Sequence, residues 1–140
     1  MRFAFNHILA PKLPLETFFA KAKSLGATEV EIRNDLPDVV GTTAPEKVRE
    51  AAEKAGVTII SINALYPFNV WSGDLPARAT ALADYAQRCG VKALVMCPLN
   101  TGELVPPGNA VEALKALWTI LKERELKTTG AAICWLKTKS

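Results

Sequence analysis

The sequence predicts an α/β fold built from four β-loop-α units in tandem, whose strands run parallel. Three observations predict it. Short apolar-rich runs, RFAFN, ATEVEIR, VTIISI and VKALVMC, alternate with stretches whose apolar residues recur at spacings of three and four. Gly26, Gly56 and Gly90 follow the first three helical stretches, where a left-handed C-cap belongs. The strand starts lie roughly 26 to 34 residues apart, the period of a βα repeat.

In chain order, Arg2 to Asn6 is a short alternating strand ending at His7, and Ala10 to Pro14 is a proline-punctuated loop. Pro14 suits a first helical turn. Leu15, Phe18, Phe19, Ala22 and Leu25 then form an amphipathic stripe facing a core. The stretch Ala27 to Pro37, ATEVEIRNDLP, alternates Val30 and Ile32 with Glu29, Glu31 and Arg33 and ends in the polar tip Glu31, Arg33, Asn34 and Asp35. That tip resembles a site. After a loop with Pro37 and Gly41, Thr43 and Glu46 stand in capping-box spacing ahead of the stripe Val48, Ala51, Ala52 and Ala55.

The third strand, Val57 to Ile62, is apolar enough for burial on both faces. It leads into Asn63 and the loop ALYPFNVWSGD, which carries Tyr66, Phe68 and Trp71. Asp74 caps the third helix, in which Leu75, Ala79, Leu82, Ala83 and Ala86 face inward. Val91 to Cys97 is the fourth strand, followed by Pro98, Leu99 and Asn100. Asn109 with Glu112 opens the fourth helix, whose expected stripe is Leu114, Leu117, Trp118 and Leu121, with Trp118 in the core.

At 140 residues, with 49% hydrophobic and 22% charged content, the chain reads as one globular domain. A net charge of +3 with scattered basic residues disfavours nucleic acid as a partner. The absence of a long apolar run and of a leader pattern points to a cytoplasmic protein with no membrane partner. Cys89, Cys97 and Cys134 form no CxxC, which indicates neither a disulfide framework nor a zinc knuckle.

Parallel βα repeats fit either an open doubly wound sheet or a (β/α)8 barrel. The first strand is followed by Asn6-His7-Ile8-Leu9 and not by a glycine fingerprint. Every strand delivers polar residues to its C-terminal end, where barrels keep their chemistry. The expectation is therefore the N-terminal half of a (β/α)8 TIM barrel with parallel strands in sequential order: residues 1–123 as a (β/α)4 half-barrel, and 124–140 as an atypical tail with one extra strand at Ala131 to Leu136.

The phrases RFAFNH, VEIRNDLP, ISINALYPFNVW and ALVMCPLN, in this order, resemble the xylose isomerase-like TIM barrels of the sugar phosphate isomerase/epimerase superfamily, and within it the 2-keto-myo-inositol isomerases of bacterial inositol catabolism. The resemblance implies a divalent-metal-dependent isomerisation of a hydroxy-ketone, in which a base removes the proton between carbonyl and hydroxyl carbons. It also implies a metal held by carboxylates and a histidine on the later strands, beginning with a glutamate on the fifth. This chain has Glu123-Arg124-Glu125-Leu126 after the fourth helix, with Glu125 where the repeat predicts glycine, and a tail without a strand-end carboxylate. His7 is its only histidine. No metal-ligand set can be assembled from these positions, so a catalytically silent half-barrel, from a truncated or frame-shifted gene or made deliberately, is the alternative reading.

The substrate-binding candidates are His7, Glu31, Arg33, Asn63, Phe68 and Trp71, with catalytic residues unassigned. Glu31 and Arg33 either orient substrate hydroxyls or form an ion pair between strands. His7 either meets the substrate or is a hydrogen-bonded structural group. Asn63 either pairs with a sugar hydroxyl or satisfies loop backbone. Tyr66, Phe68 and Trp71 either wall a sugar ring or fold over the rim. Cys97 reads as a small buried hydrophobe. An abasic-site endonuclease shares the barrel but needs a basic groove absent here. The expected partners are a small polyol or sugar and a second copy of the chain across open barrel edges.

Overall fold

The computed structural model describes residues 3–36 and 40–129. Its elements run β1 (Ala4–Asn6), α1 (Leu15–Ser24), β2 (Glu29–Arg33), α2 (Pro45–Ala55), β3 (Thr58–Leu65), α3 (Leu75–Arg88), β4 (Ala93–Met96), α4 (Pro107–Lys122) and β5 (Lys127–Thr129). The sheet has the order β1-β2-β3-β4-β5, and each strand pairs parallel with its predecessor. Sequential order with a helix after each of the first four strands is half of a (β/α)8 arrangement, as the βα repeat predicts.

The alternation seen in the sequence sorts the two faces of this sheet. Val30 and Ile32 on β2 are fully buried and join one core with Phe19 of α1, Val48 of α2, Ala83 of α3 and Leu117 of α4. Burying each such branched side chain is worth about 1.5–3 kcal/mol. Glu29, Glu31 and Arg33 point to the opposite, inner face because side chains alternate along a strand. On β3 the residue Ile60 is passed over between the pairs Val30↔Ile59 and Glu31↔Ser61. That bulge keeps Ile59 and Ile62 on the helix side while placing Ser61 beside Glu31 on the inner side.

All four helices end alike. Ala27 N donates to Ala22 O at 3.0 Å, Val57 N to Ala52 O at 3.0 Å, Val91 N to Ala86 O at 3.0 Å and Leu126 N to Leu121 O at 2.9 Å. This backward bond over five residues belongs to the left-handed helix stop. Gly26, Gly56 and Gly90 supply the positive φ in the first three units, and Glu125, at φ 56°, supplies it in the fourth. Glu125 therefore does glycine's conformational task without glycine's freedom, and the strand it introduces is Lys127–Thr129. The strand expected at Ala131 to Leu136 lies outside the described residues, as do Arg2 and Pro37.

Several local expectations are corrected. No capping box forms at α2: Ala44 is the N-cap, Pro45 takes the first turn, and no side-chain cap bond is made. The Glu46 carboxylate instead accepts from Arg88 Nε at 2.8 Å. Asp74 precedes α3 without a side-chain cap bond and lies 3.9 Å from Arg78. α4 begins at Pro107, so Asn109 is inside it. Trp118 is 67% exposed and Leu25 55% exposed. The buried line on α4 is Ala113, Leu117 and Leu121. Trp118 sits about 100° round the helix from Leu117 and falls off that line. β3 runs to Leu65, which makes Asn63 a strand residue. No described helix is long and apolar enough to cross a membrane.

Candidate functional site

Parallel register brings the C-terminal end of β1 beside the middle of β2 and of β3. Asn6 is opposite Glu31, and Glu31 opposite Ser61. Their side chains share one carboxylate: Asn6 Nδ2 donates to Glu31 Oε2 at 3.0 Å, and Ser61 Oγ donates to Oε1 at 2.6 Å. The Asn6 amide is oriented from behind, since its Oδ1 accepts from Ile8 N at 3.0 Å. Hydrogen bonds to an ionised acceptor are shorter and stronger than neutral ones, so the half-buried Glu31 is held with both oxygens in fixed directions. Each oxygen keeps a further lone pair for an incoming hydroxyl.

The next row outward is Arg33, Asn63 and Val95. Arg33 does not pair with Glu31. Its Nε donates to Asp35 Oδ1 at 2.7 Å and its Nη2 bonds Asp35 Oδ2. This fork holds the Asp35 carboxyl below the usual carboxylate range and raises the Arg33 guanidinium, with Cys97 and Glu31 adding weaker electrostatic support to Arg33. The Asn63 backbone carbonyl accepts from Asn34 N at 2.8 Å. Its side-chain Nδ2 is buried with no hydrogen-bond partner, which leaves a donor available beside the Glu31 row. The Asn63-Ala64 and Tyr66-Pro67 peptides are cis.

The other sequence candidates are placed differently. His7 is 1% exposed, stacks on Phe18 with ring centroids 4.5 Å apart, and lies 2.9 Å through Nε2 from the Leu13 carbonyl. A carbonyl only accepts, so Nε2 carries the proton. The ring is enclosed between the end of β1 and α1. Phe68 is also buried in the core, while Trp71 is half-buried and packs against that core. The loop after β3 is tied to the loop after β4: Phe68 N donates to Cys97 O at 3.0 Å, Leu99 N to Asn69 Oδ1 at 2.7 Å, and Tyr66 Oη to Asn100 Oδ1 at 2.9 Å. Asn6 and Ser61 are not among the sequence candidates. Ser61 is the polar interruption of an apolar strand, and that was the available signal.

A cavity of about 610 Å³ lies elsewhere, between the start of α1 and α2, lined by Lys12, Glu16, Thr43 and Lys47 among others. It includes no strand-tip residue, and the convergent polar groups identify the site better than the volume does. Among the described residues no group of three His, Cys, Asp or Glu side chains could hold a metal ion. The donor set explains why: Glu31 is bonded to Asn6 and Ser61, Asp35 to Arg33, and His7 is enclosed. These residues do not fit the divalent metal that the resemblance implies.

The architecture has solved counterparts. A xylose isomerase domain-containing protein from Salmonella typhimurium LT2 superposes with a TM-score of 0.85 at 40% sequence identity, over 92% of this chain and 48% of that one. The chain matches about half of a xylose isomerase-like TIM barrel. The IolI protein, solved with a bound zinc atom, matches with a TM-score of 0.79 at 20% identity, over 93% of this chain and 51% of that one. D-psicose 3-epimerase from Clostridium cellulolyticum H10, solved with D-tagatose, matches with a TM-score of 0.71 at 14% identity, over 91% of this chain and 51% of that one. The half-barrel thus spans about half the length of the solved relatives it matches. No family model and no curated protein matches its sequence.

Proposed function

We propose that this half-barrel supplies the hydroxyl-binding part of a sugar- or inosose-type isomerase, which shifts a proton between adjacent carbons of a hydroxy-ketone such as 2-keto-myo-inositol. One observation carries the reading: side chains from three consecutive parallel strands converge on a single oriented carboxylate, Glu31, on the inner face of the sheet, one row below the C-terminal end of β2, the end where barrels keep their chemistry. Glu31 accepts hydrogen from a substrate hydroxyl, and the unpartnered Nδ2 of Asn63 donates to a neighbouring oxygen. A divalent metal serving the reaction is not held by these residues, and the hydroxyl-binding role assigned to them works without one.

The experiment is a two-dimensional amide NMR titration with 2-keto-myo-inositol, with turnover followed in parallel with and without EDTA. Shifts confined to Asn6, Glu31, Ser61 and Asn63 support the binding role. Shifts elsewhere, or none at millimolar ligand, refute it. Binding without turnover is the outcome expected of the second reading, a catalytically silent half-barrel.

Self-association belongs to the same reading. Among the described residues β1 pairs with β2 alone and β5 with β4 alone, so each edge presents unpaired backbone groups. In the 140-residue chain a second copy covers them. Sedimentation showing a compact monomer at high concentration rules this out.

A further inference from the structure

Arg33 is the cation of the row next to Glu31, and Arg78, bonded to the Tyr66 carbonyl in the loop after β3, is the other cation on that side. Arg33 stands one row outward from Glu31 on the same face of β2, roughly 7 Å along the strand, and opposite Asn63. A guanidinium is the side chain best shaped for two-point binding of phosphate. Here the Nε and Nη2 edge of the fork is already taken, because each Asp35 oxygen bonds one of its nitrogens, and the Asp35 charge offsets that of the guanidinium. Arg33 is only 25% exposed, whereas Asp35 is 57% exposed, so the carboxylate covers the guanidinium from the solvent side.

The local charge follows from these groups. Two carboxylates, Glu31 and Asp35, face one guanidinium. Lys127 shares the Glu31 row through Ser61 and Ala93, but its strand is three places away, about 14 Å at ordinary strand spacing. That exceeds the screening length of about 8 Å at physiological salt. A phosphate dianion entering the mouth would have to share the guanidinium with Asp35, against that carboxylate's charge, and sit near Glu31. An uncharged polyol would need neither step, since its hydroxyls use the free lone pairs of Glu31 and the Asn63 donor.

We propose that Asp35 is a specificity-determining residue: by occupying the Arg33 fork beside Glu31 and Asn63, it sets this mouth for uncharged polyols and against phosphorylated sugars. The inference rests on the hydroxyl-binding reading of the strand tips and adds the substrate class and the residue that selects it. Asp35→Asn keeps the size of the side chain and removes its charge, which leaves the guanidinium open to an anion.

The test is calorimetric titration of the 140-residue chain and its Asp35→Asn, Asp35→Ala and Asp35→Asn/Arg33→Gln variants with inorganic phosphate, D-fructose 6-phosphate and D-fructose. Both single variants are expected to bind the two phosphate-bearing probes about tenfold or more tighter than the parent chain. Adding Arg33→Gln is expected to abolish the gain. Phosphate affinity unchanged by either single substitution, or a gain that survives loss of Arg33, overturns the proposal. D-fructose reports the hydroxyl-binding row separately: its failure to bind refutes that row, while the phosphate probes still decide the role of Asp35.

Discussion

Ser61→Ala tests whether the Glu31 row is a coupled unit. Ser61 is 3% exposed, and its hydroxyl donates to Glu31 at 2.6 Å. A hydrogen bond to a charged group contributes about 1.5–3 kcal/mol net. Water can reach half-buried Glu31 and partly replace the lost donor, so the lower end applies, about 1.5 kcal/mol. At about 3–4 °C per kcal/mol for a chain of this size, the melting temperature should fall by about 5 °C. The sharper measurement is a double-mutant comparison by urea denaturation. In a Glu31→Leu background the Ser61 hydroxyl is buried without its acceptor, so removing it should be neutral or stabilising. A Ser61→Ala cost that is equal in both backgrounds, or below about 0.5 kcal/mol in the parent, would show that the short contact holds nothing together.

Four other outcomes follow from the structure. Glu125→Gly relieves a left-handed residue whose cost is about 1–2 kcal/mol, so it should raise the urea midpoint by an amount corresponding to about 1 kcal/mol; a drop would contradict the helix-stop assignment. Burial pushes the Cys89 thiol up to about 12 and the Tyr85 phenol, whose Oη donates to Thr43 O at 2.6 Å, above its ordinary range. Both groups favour their neutral forms when folded, so their stabilisation is complete below the unfolded values near 9 and 10 and is lost as pH rises beyond them. Folded chain at pH 8 should therefore leave Cys89 unlabelled by iodoacetamide, as mass spectrometry would show. At the acid end, Asp35 is depressed below 3.8 by the Arg33 hydrogen bond. Its contribution is present above that value and disappears as pH falls through the lower folded one, so Asp35→Asn should flatten the acid limb of a stability-pH curve. Trp118→Ser should change stability by less than about 0.5 kcal/mol, since the ring is 67% exposed; a loss of several kcal/mol would put it back in the core.

Element order and strand direction were legible because hydrophobic period and glycine stops are local properties of the chain. The departures arose where two local signals competed or where geometry was needed. Thr43 and Glu46 have capping-box spacing, yet Pro45 claims the first helical turn, its ring fixes φ, and Glu46 is turned to Arg88 on α3. Trp118 matches the helical period as well as Leu117 does, and only the position of the sheet decides that Leu117 is covered, Leu114 partly so, and Trp118 not. Glu125 concealed the fourth helix stop because a glycine was the sole marker available for it. His7 read as a strand-tip group, but the 3-10 turn beginning there carries the ring back against Phe18.

The partners of Glu31 were invisible for a different reason. Nothing in the spacing of residues 6, 31 and 61 relates them. They meet only because parallel register, shifted by the bulge at Ile60, sets them in one row. Had β3 kept an unbroken register from Ile59, Ile60 would stand opposite Glu31 in place of Ser61, and an apolar side chain would abut a half-buried carboxylate. A carboxylate left without that donor loses one of the two bonds that orient it. The bulge is therefore the feature that converts three unrelated polar residues into an aligned acceptor.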